Sequence, residues 1–236
     1  MKKYNFFILS ALLLTACSSC DFLFNNTKQK DDGKEPTYSP NYAWQLKLDG
    51  RRIGSQPYTE GRYFYLIEYL SDTKAVQLVK IDMEIGRYVW KAKTIDDGHE
   101  WYSSNIVKVD NKLYFIRPNS GLIYCYADND GKLLARVQIG TTEAEAIRNS
   151  CSRDLIVTDG YSLYWGSEGE QEAYGKHLFK LELAIISYTQ TNSIQSILPK
   201  SIYTKENWRE CIFRGTPIID NGVLFFNTFN RDYPDG

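Results

Sequence analysis

The sequence has few of the residues that build metal centres and covalent catalysts. Of its 236 residues, two are histidine, two are methionine and five are cysteine. No two cysteines are adjacent, and beyond the N-terminal Cys17 and Cys20 the remaining three, Cys125, Cys151 and Cys211, have no Cys-x-x-Cys spacing. His99 and His177 have no cysteine or second histidine at ligand spacing, which argues against a zinc site. There is also no phosphate loop, no dinucleotide fingerprint and no Gly-x-Ser-x-Gly motif. The chain therefore shows no sequence signature of a common enzyme class.

Two further features are missing, an excess of positive charge and a long apolar run. The formal net charge is −1, so the basic patch that nucleic-acid partners usually require is not expected. The apolar run at the start, Phe6–Ala16, has 11 residues, whereas a membrane-spanning helix needs about 20. We expect no nucleic-acid partner and no helical membrane span from this run.

The N-terminus instead has the order of an export signal. Lys2 and Lys3 precede the apolar run, which ends in Leu-Thr-Ala-Cys at Cys17. This end resembles the bacterial lipobox, and the resemblance implies cleavage after residue 16 and lipid (diacylglycerol, palmitate) on the Cys17 sulfur. The alternative is an ordinary cleaved signal with an incidental cysteine. Residues 17–41 are polar and read as a tether, so residues 42–236 form the folded domain.

What the chain has in abundance is aromatic residues, which make up 14% of it and favour strands. The most informative stretch is Lys80–Trp90, KIDMEIGRYVW, which predicts a strand, a tight turn and a second strand. Three residues separate Asp82 from Gly86, and three more separate Gly86 from Trp90. Gly86 suits a turn position with φ > 0. A hairpin of this kind cannot bury its own face and has to stack on neighbours.

Turn signals of the hairpin type recur along the chain. Each is followed by an aromatic-rich strand, and the four turns are marked by Gly61, Asn111, Gly160 and Asn221. The intervals are 50, 49 and 61 residues, and a recurrence near 50 with four strands per unit indicates propeller blades. We therefore predict an all-β fold, a partial β-propeller of about four four-stranded blades with the last one incomplete.

The hairpin and its neighbours resemble the repeat of PQQ-like β-propellers, a group that holds the quinoprotein dehydrogenases and the BamB-type lipoproteins of outer-membrane assembly. The resemblance implies that Trp44 and Trp90 wedge between adjacent blades and that Asp82, Gly86 and Gly131 keep the repeat turns. It covers about residues 41–236. The second unit keeps only Gly131 of the pattern, and the third keeps almost none of it.

This resemblance implies a lipoprotein on the periplasmic face of the outer membrane that acts as a protein-binding or scaffolding module for envelope proteins. The alternatives are a fragment of a quinoprotein oxidoreductase, or a propeller that binds carbohydrate or another small ligand. A quinoprotein also needs a quinone against a tryptophan, a vicinal disulfide, calcium and a catalytic Asp. Since adjacent cysteines are missing, we expect no cofactor and no catalytic or metal residues.

Several smaller groups have both a functional and a structural interpretation. Residues 128–131 resemble part of a calcium loop, but their place in the repeat favours a hairpin turn. Asp96, Asp97 and Glu100 resemble paired acid–base carboxylates, although a solvated loop is favoured. Cys125 is expected to be a buried small hydrophobe, and an exported location permits a Cys151–Cys211 disulfide. The loop aromatics are candidate partner contacts, although packing between blades is favoured for them: Trp101, Tyr102 and Trp208.

Length gives a last expectation. Closed propellers of this class have about six to eight blades, and four units fall short of that number. We therefore hypothesise that the chain is part of a longer gene product, or that a second copy completes the ring. Residues 143–148 are expected to form one helical turn in a connecting loop.

Overall fold

A computed structural model describes residues 46–48, 52–70, 73–96, 103–167, 176–188, 193–205, 212–213, 218–226 and 228–229. The chain divides into two units, Met1–Ala43 and Trp44–Gly236, and all described residues belong to the second. Cys17 and Trp44 lie outside the described residues, as do Asp97, His99, Glu100, Trp101, Tyr102, Trp208 and Cys211. The predictions for these residues therefore stay predictions. In the described part no helix is long and apolar enough to cross a membrane.

The first sheet is a meander of antiparallel strands. It contains β1 (Arg52–Ile53), β2 (Tyr58–Glu60), β3 (Tyr63–Leu70), β4 (Ala75–Asp82) and β5 (Arg87–Lys91). Strands β1 and β2 both pair with β3, which is followed by β4 and β5. The hairpin predicted at residues 80–90 is the β4–β5 hairpin, with Gly86 at φ 63° in its turn. The strand, tight turn and second strand predicted for this stretch are therefore confirmed.

The second sheet repeats this meander. It contains β6 (Val107–Val109), β7 (Lys112–Arg117), β8 (Leu122–Ala127) and β9 (Leu133–Gln138), in sequential order. A 3₁₀ turn at Pro118–Ser120 joins β7 to β8. The single α-helix of the described part, α1 (Glu143–Asn149), follows β9 and confirms the predicted helical turn. Thr142 caps it, since the Thr142 side chain accepts a hydrogen bond from the Glu145 backbone N–H at 3.2 Å.

The third sheet contains β10 (Cys151–Thr158), β11 (Ser162–Ser167), β12 (Lys176–Glu182) and β14 (Lys200–Lys205). Between β12 and β14 the chain leaves this sheet. A 3₁₀ turn at Leu183–Ile185 leads to β13 (Ile194–Ser196), which adds to the outer edge of the second sheet as a parallel neighbour of β9. This excursion occupies the extra residues of the third repeat interval.

The remaining described strands are short. A hairpin joins β16 (Ile218–Asp220) to β17 (Val223–Phe225), and β15 (Ile212–Phe213) pairs with β18 (Thr228–Phe229). All four predicted hairpin turns contain a residue in the left-handed region: Gly61, Asp110, Gly160, and the pair Asn221 and Gly222. Each unit therefore begins with the turn that the sequence indicates.

The sheets pack face to face through two apolar cores, and β7 shows how. Leu113 and Phe115 enter the core shared with the first sheet, while Tyr114 and Ile116 enter the core shared with the third. Because successive side chains of a strand point to opposite faces, one strand supplies both cores. Sequential four-stranded meanders that stack in this way are propeller blades, so the predicted all-β partial propeller is confirmed.

Candidate functional site

The turn between β4 and β5 is held by Asp82. This residue is 3% exposed, its carboxylate accepts a hydrogen bond from the Glu84 backbone N–H at 3.0 Å, and its carbonyl accepts one from the Gly86 N–H at 2.8 Å. The Arg62 guanidinium, from the neighbouring β2–β3 turn, forms an ion pair with the same carboxylate. The hydrogen bond to Asp82 raises the pKa of Arg62. Asp82 thus ties two turns of the first sheet together.

Trp90 reaches from the first sheet to the second. Its indole N–H donates to the Asp128 carbonyl at 2.8 Å, and its ring lies directly against Gly131. A Cβ atom on Gly131 would lie 2.6 Å from Cε3 of the indole, and Gly131 has φ 69°. Only glycine fulfils both conditions, so the aromatic ring and the turn glycine are matched across the two sheets.

Beside this contact lies a cluster of charged groups that we call the Asp128 cluster, formed by Glu60, Tyr65, Lys80, Lys108 and Asp128. The Lys80 ammonium lies 2.8 Å from one carboxylate oxygen of Asp128, and the Lys108 ammonium lies 2.8 Å from the other. The Tyr65 hydroxyl donates to the same carboxylate at 2.8 Å, and Lys108 also pairs with Glu60. Asp128 is 8% exposed and Lys80 is 7% exposed. The cluster therefore joins the first and second sheets through buried ion pairs.

The electrostatics of the cluster follow from these contacts. Burial on its own would raise the pKa of Asp128, but the hydrogen bonds from Lys108, Lys80 and Tyr65 outweigh it and hold this pKa below its usual value. Burial and the hydrogen bond to Asp128 raise the pKa of the Tyr65 phenol. Burial would lower the pKa of Lys108, and its two carboxylate partners raise it instead. These contacts thus favour the charged forms of Asp128 and Lys108 and the neutral form of Tyr65.

The contacts of the Asp128 cluster fit a structural role, in which it joins two blades, better than the role of an acid–base catalyst. Both carboxylate oxygens of Asp128 already accept from groups of the protein, two ammonium groups and a hydroxyl. The same pairing opposes calcium at residues 128–131, where the Lys132 N–H also donates to Asp130 at 3.0 Å. Within the described ranges no three acidic, histidine or cysteine side chains come together to hold a metal.

A quinone cofactor needs an indole face, and the two tryptophans that the structure describes do not offer one. Trp90 lies against Gly131, and Trp165 is fully buried, with its ring 5.7 Å from the Phe179 ring and its N–H donating to the Asn149 carbonyl at 2.6 Å. These two tryptophans therefore do not fit the cofactor.

Other residues that the sequence singles out occupy structural positions. Cys125 is 1% exposed in the core between the second and third sheets, as expected, and burial raises the pKa of its thiol to about 12. His177 stacks on Phe179, with ring centroids 5.4 Å apart, and its Nδ1 lies 3.1 Å from the Ser201 hydroxyl. Burial lowers the pKa of His177. Asp96 is exposed, and the structure does not bring it together with the Asp128 cluster.

The Asp128 cluster was missed as a site by sequence reasoning, although one signal was present. Lys80 lies between Val79 and Ile81 in β4, where a lysine has to find a partner if it is buried. Its partner lies 48 residues away, on the opposite sheet. A lysine in a core strand predicts an ion pair. Which residue is the partner can be known only from the way the two sheets pack.

The most distinctive feature outside the repeat is the excursion between β12 and β14, which we call the rim segment (residues 183–199, described at 183–188 and 193–199). Its inner side chains, Leu183, Ile186 and Ile197, pack on the core between the second and third sheets. Its outer side chains include three of the ten exposed large apolar residues of the described part: Ile185, Ile194 and Leu198. The segment is therefore apolar on both sides.

The two halves of the rim segment are joined by one side chain. The Gln195 carboxamide accepts a hydrogen bond from the Ser187 N–H at 2.8 Å and donates one to the Ile185 carbonyl at 3.0 Å. The Ile197 N–H donates to the Gln138 carbonyl of β9 at 2.9 Å. These bonds fix the exposed apolar residues on an ordered part of the molecule.

Comparison with known proteins does not assign a function to these residues. No protein-family model and no curated protein matches the chain. Among solved structures, a europium-containing methanol dehydrogenase matches with 13% identity and a TM-score of 0.43, over 60% of this chain and 25% of that protein. The quinohemoprotein alcohol dehydrogenase ADHIIG from Pseudomonas putida HK5 matches with 13% identity and a TM-score of 0.36, over 79% of this chain and 40% of that protein. The chain thus spans less than half the length of either protein, and likenesses this weak carry no argument about activity.

Proposed function

We propose that this chain is a lipid-anchored binding module that holds a protein partner of the cell envelope on its rim segment. The observation that supports this role is the set of exposed apolar side chains at Ile185, Ile194 and Leu198, carried on an ordered excursion from the repeat. Scattered exposed apolar residues are normal, whereas a concentration in one segment is typical of protein-binding surfaces. The lipobox at Cys17 supports the location.

The position of the segment also favours this role. A blade needs its four strands, and the rim segment is additional to them. Residues that depart from a repeat are free of the packing constraints of the blade, and binding residues concentrate on such connections, held by a rigid scaffold. A partner that presents apolar side chains would remove the outer face of the segment from water, with a gain of about 25 cal/mol for each Å² of apolar surface.

Site-specific photo-cross-linking in the lipid-anchored protein tests the role. A photoreactive amino acid at Ile194 is expected to cross-link to one envelope protein, and the same residue at Ile218, which is also exposed but lies on the β16–β17 hairpin, is the matched control. Adding Leu198→Asp is expected to reduce the cross-link at least about tenfold, because a charge would be buried in the interface. Equal cross-linking at both positions would contradict the assignment of the partner to the rim segment.

The anchor has its own test. Cys17→Ser is expected to abolish incorporation of labelled palmitate and to move the protein from the membrane fraction to the soluble fraction, because a cleaved and unlipidated chain has no acyl groups to bury. Unchanged labelling of the Cys17→Ser variant would show that Cys17 is not the lipidated residue.

A further inference from the structure

A second candidate site, independent of the rim segment's outer face, lies between the second and third sheets. There the β6–β7 turn, the β10–β11 turn and the end of β12 enclose a cleft of about 540 Å³. This volume is within the range of small-molecule sites, which is about 300–1,000 Å³. The cleft lies on the opposite side of the second sheet from the core that this sheet shares with the first, and no residue of the Asp128 cluster lines it.

The floor of the cleft is aromatic and hydroxyl-rich. The hydroxyls of Tyr114 and Tyr188 lie 2.8 Å apart, and the Tyr188 hydroxyl also contacts the Leu183 carbonyl at 3.3 Å. The Lys112 ammonium lies 5.0 Å from the centre of the Tyr188 ring. Lys112 also lines the cleft, and among the described residues no carboxylate forms an ion pair with it.

The wall carries groups of both charges. Lys180 lies 3.6 Å from Glu182 in a pair across the end of β12, and Asp159 accepts hydrogen bonds from the Tyr161 and Ser162 N–H groups and from the Tyr164 hydroxyl. Asp110 adds a further carboxylate. With Lys112, the cleft is lined by two ammonium groups and three carboxylates, so its positive and negative charges nearly cancel. A strongly anionic or cationic ligand therefore gains little from the cleft, whereas a neutral ligand with many hydroxyls meets both donors and acceptors.

Tyr161 lines the cleft beside the turn at Gly160 and is 82% exposed. A tyrosine this exposed buries almost none of its ring in the fold. Aromatic rings have a negative face, which attracts the weakly positive C–H groups on one side of a pyranose ring. An exposed aromatic platform next to balanced hydrogen-bonding groups is thus complementary to a sugar, which has an apolar face and a hydroxylated edge.

From this geometry we infer that the cleft between the second and third sheets binds a neutral saccharide, with one sugar ring stacked on Tyr161 and its hydroxyls bonded to Lys112, Glu182 and Asp110. This binding is separate from the protein-binding role of the rim segment, and either holds without the other.

Affinity electrophoresis of the full chain tests the inference. The native gels contain soluble starch, xylan, galactomannan, laminarin or, as the anionic arm, polygalacturonate. At least one neutral polysaccharide is expected to retard the protein, and its hexasaccharide is expected to bind in calorimetry with a one-to-one stoichiometry. Retardation by none of the neutral polysaccharides, or by polygalacturonate alone, would overturn the inference.

Variants then place the binding. Tyr161→Ala is expected to weaken binding at least about tenfold, whereas Tyr161→Phe keeps the ring and stays within about threefold of the parent. Ile218→Ala, at an exposed position that does not line the cleft, is the matched control and is expected to leave binding unchanged. Because Tyr161 is mostly solvent-exposed, these variants fold. Equal binding by the Tyr161→Ala variant would show that the saccharide does not use this cleft.

Discussion

At the scale of single residues, the contact between Trp90 and Gly131 has little tolerance for change. Two requirements meet at Gly131, a φ of 69° and an indole ring where a side chain would begin. Gly61 has the first requirement without the second, since its φ is 58° and no atom lies within 4 Å of a Cβ placed there. Comparing substitutions at Gly131 and Gly61 therefore separates the cost of backbone strain from the cost of steric exclusion.

Gly131→Ala is expected to lower the free energy of unfolding by about 3 kcal/mol, because about 1–2 kcal/mol of left-handed strain adds to overpacking against the indole ring. Gly61→Ala is expected to lose only the strain, about 1 kcal/mol. Urea unfolding followed by far-ultraviolet circular dichroism measures both. Equal losses in the two variants would show that Trp90 moves aside without cost.

The charge of Asp128 gives a prediction on pH. Its pKa is lowered in the folded protein, so its contribution to stability is complete above its unfolded pKa of about 3.9 and is lost as the pH falls through its folded pKa. Asp128→Asn is expected to cost about 2–3 kcal/mol at pH 7, because two ammonium groups keep their burial without a counter-charge. The difference between the variant and the parent should shrink below about pH 4.

The control for this experiment is Asp130→Asn in the same turn. Asp130 is exposed, and asparagine can still accept the hydrogen bond from the Lys132 N–H, so a change under about 0.5 kcal/mol is expected. Chemical denaturation from pH 7 to pH 3 follows both variants. A pH-independent loss in Asp128→Asn would show that the charge of Asp128 is not what joins the sheets.

At the scale of elements, the rim segment differs from the strands around it. It is bound to β9 by the short parallel pairing of β13 and to itself by Gln195. Three residues of parallel pairing are a weak connection, so its stability depends on the inner side chains and on this glutamine. We expect the segment to open locally before the blades unfold.

Gln195→Ala is expected to speed hydrogen exchange at the Ser187 amide at least about fivefold, because it removes the acceptor of that amide while the core contacts remain. The amides of β7 and β8 should exchange at their original rates. Leu198→Ala, which changes an exposed side chain of the same segment, is the matched control. Faster exchange throughout β7 and β8 would mean that the segment does not open independently.

At the scale of the whole molecule, the second sheet is the centre of the described part. Its β7 and β8 strands contribute to the core on each side, so the first and third sheets are coupled through it. Neighbouring blades contact one another directly, and in such arrays stability is a sum of blade and interface terms. Cooperativity therefore depends on whether both interfaces are intact.

Leu113→Ala in one core and Leu163→Ala in the other are each expected to lower the free energy of unfolding by about 2–4 kcal/mol, because both side chains are fully buried. In both variants, fluorescence and circular dichroism should report one coincident transition. Val89→Ala, at a half-exposed position, is the control and should change little. Two separated transitions in the parent protein would show that the blades unfold one at a time.

The sequence by itself determined the blades and their turns. Strand alternation and turn chemistry are local, so Val76 to Ile81 and the turn at Gly86 were predictable from a few neighbouring residues. The interval near 50 residues also predicted how many units begin in this chain. The long third interval was visible as well, although its path to the second sheet was not.

Tertiary structure alone decided which residues meet. Lys80 and Asp128 are 48 residues apart, and the Tyr114 and Tyr188 hydroxyls are 74 residues apart, so neither pair is encoded by a local pattern. Both depend on the angle and register at which two sheets stack, and that arrangement is fixed by the sum of many apolar contacts. The Asp128 cluster, the cleft and the addition of β13 to β9 are for this reason properties of the packed molecule.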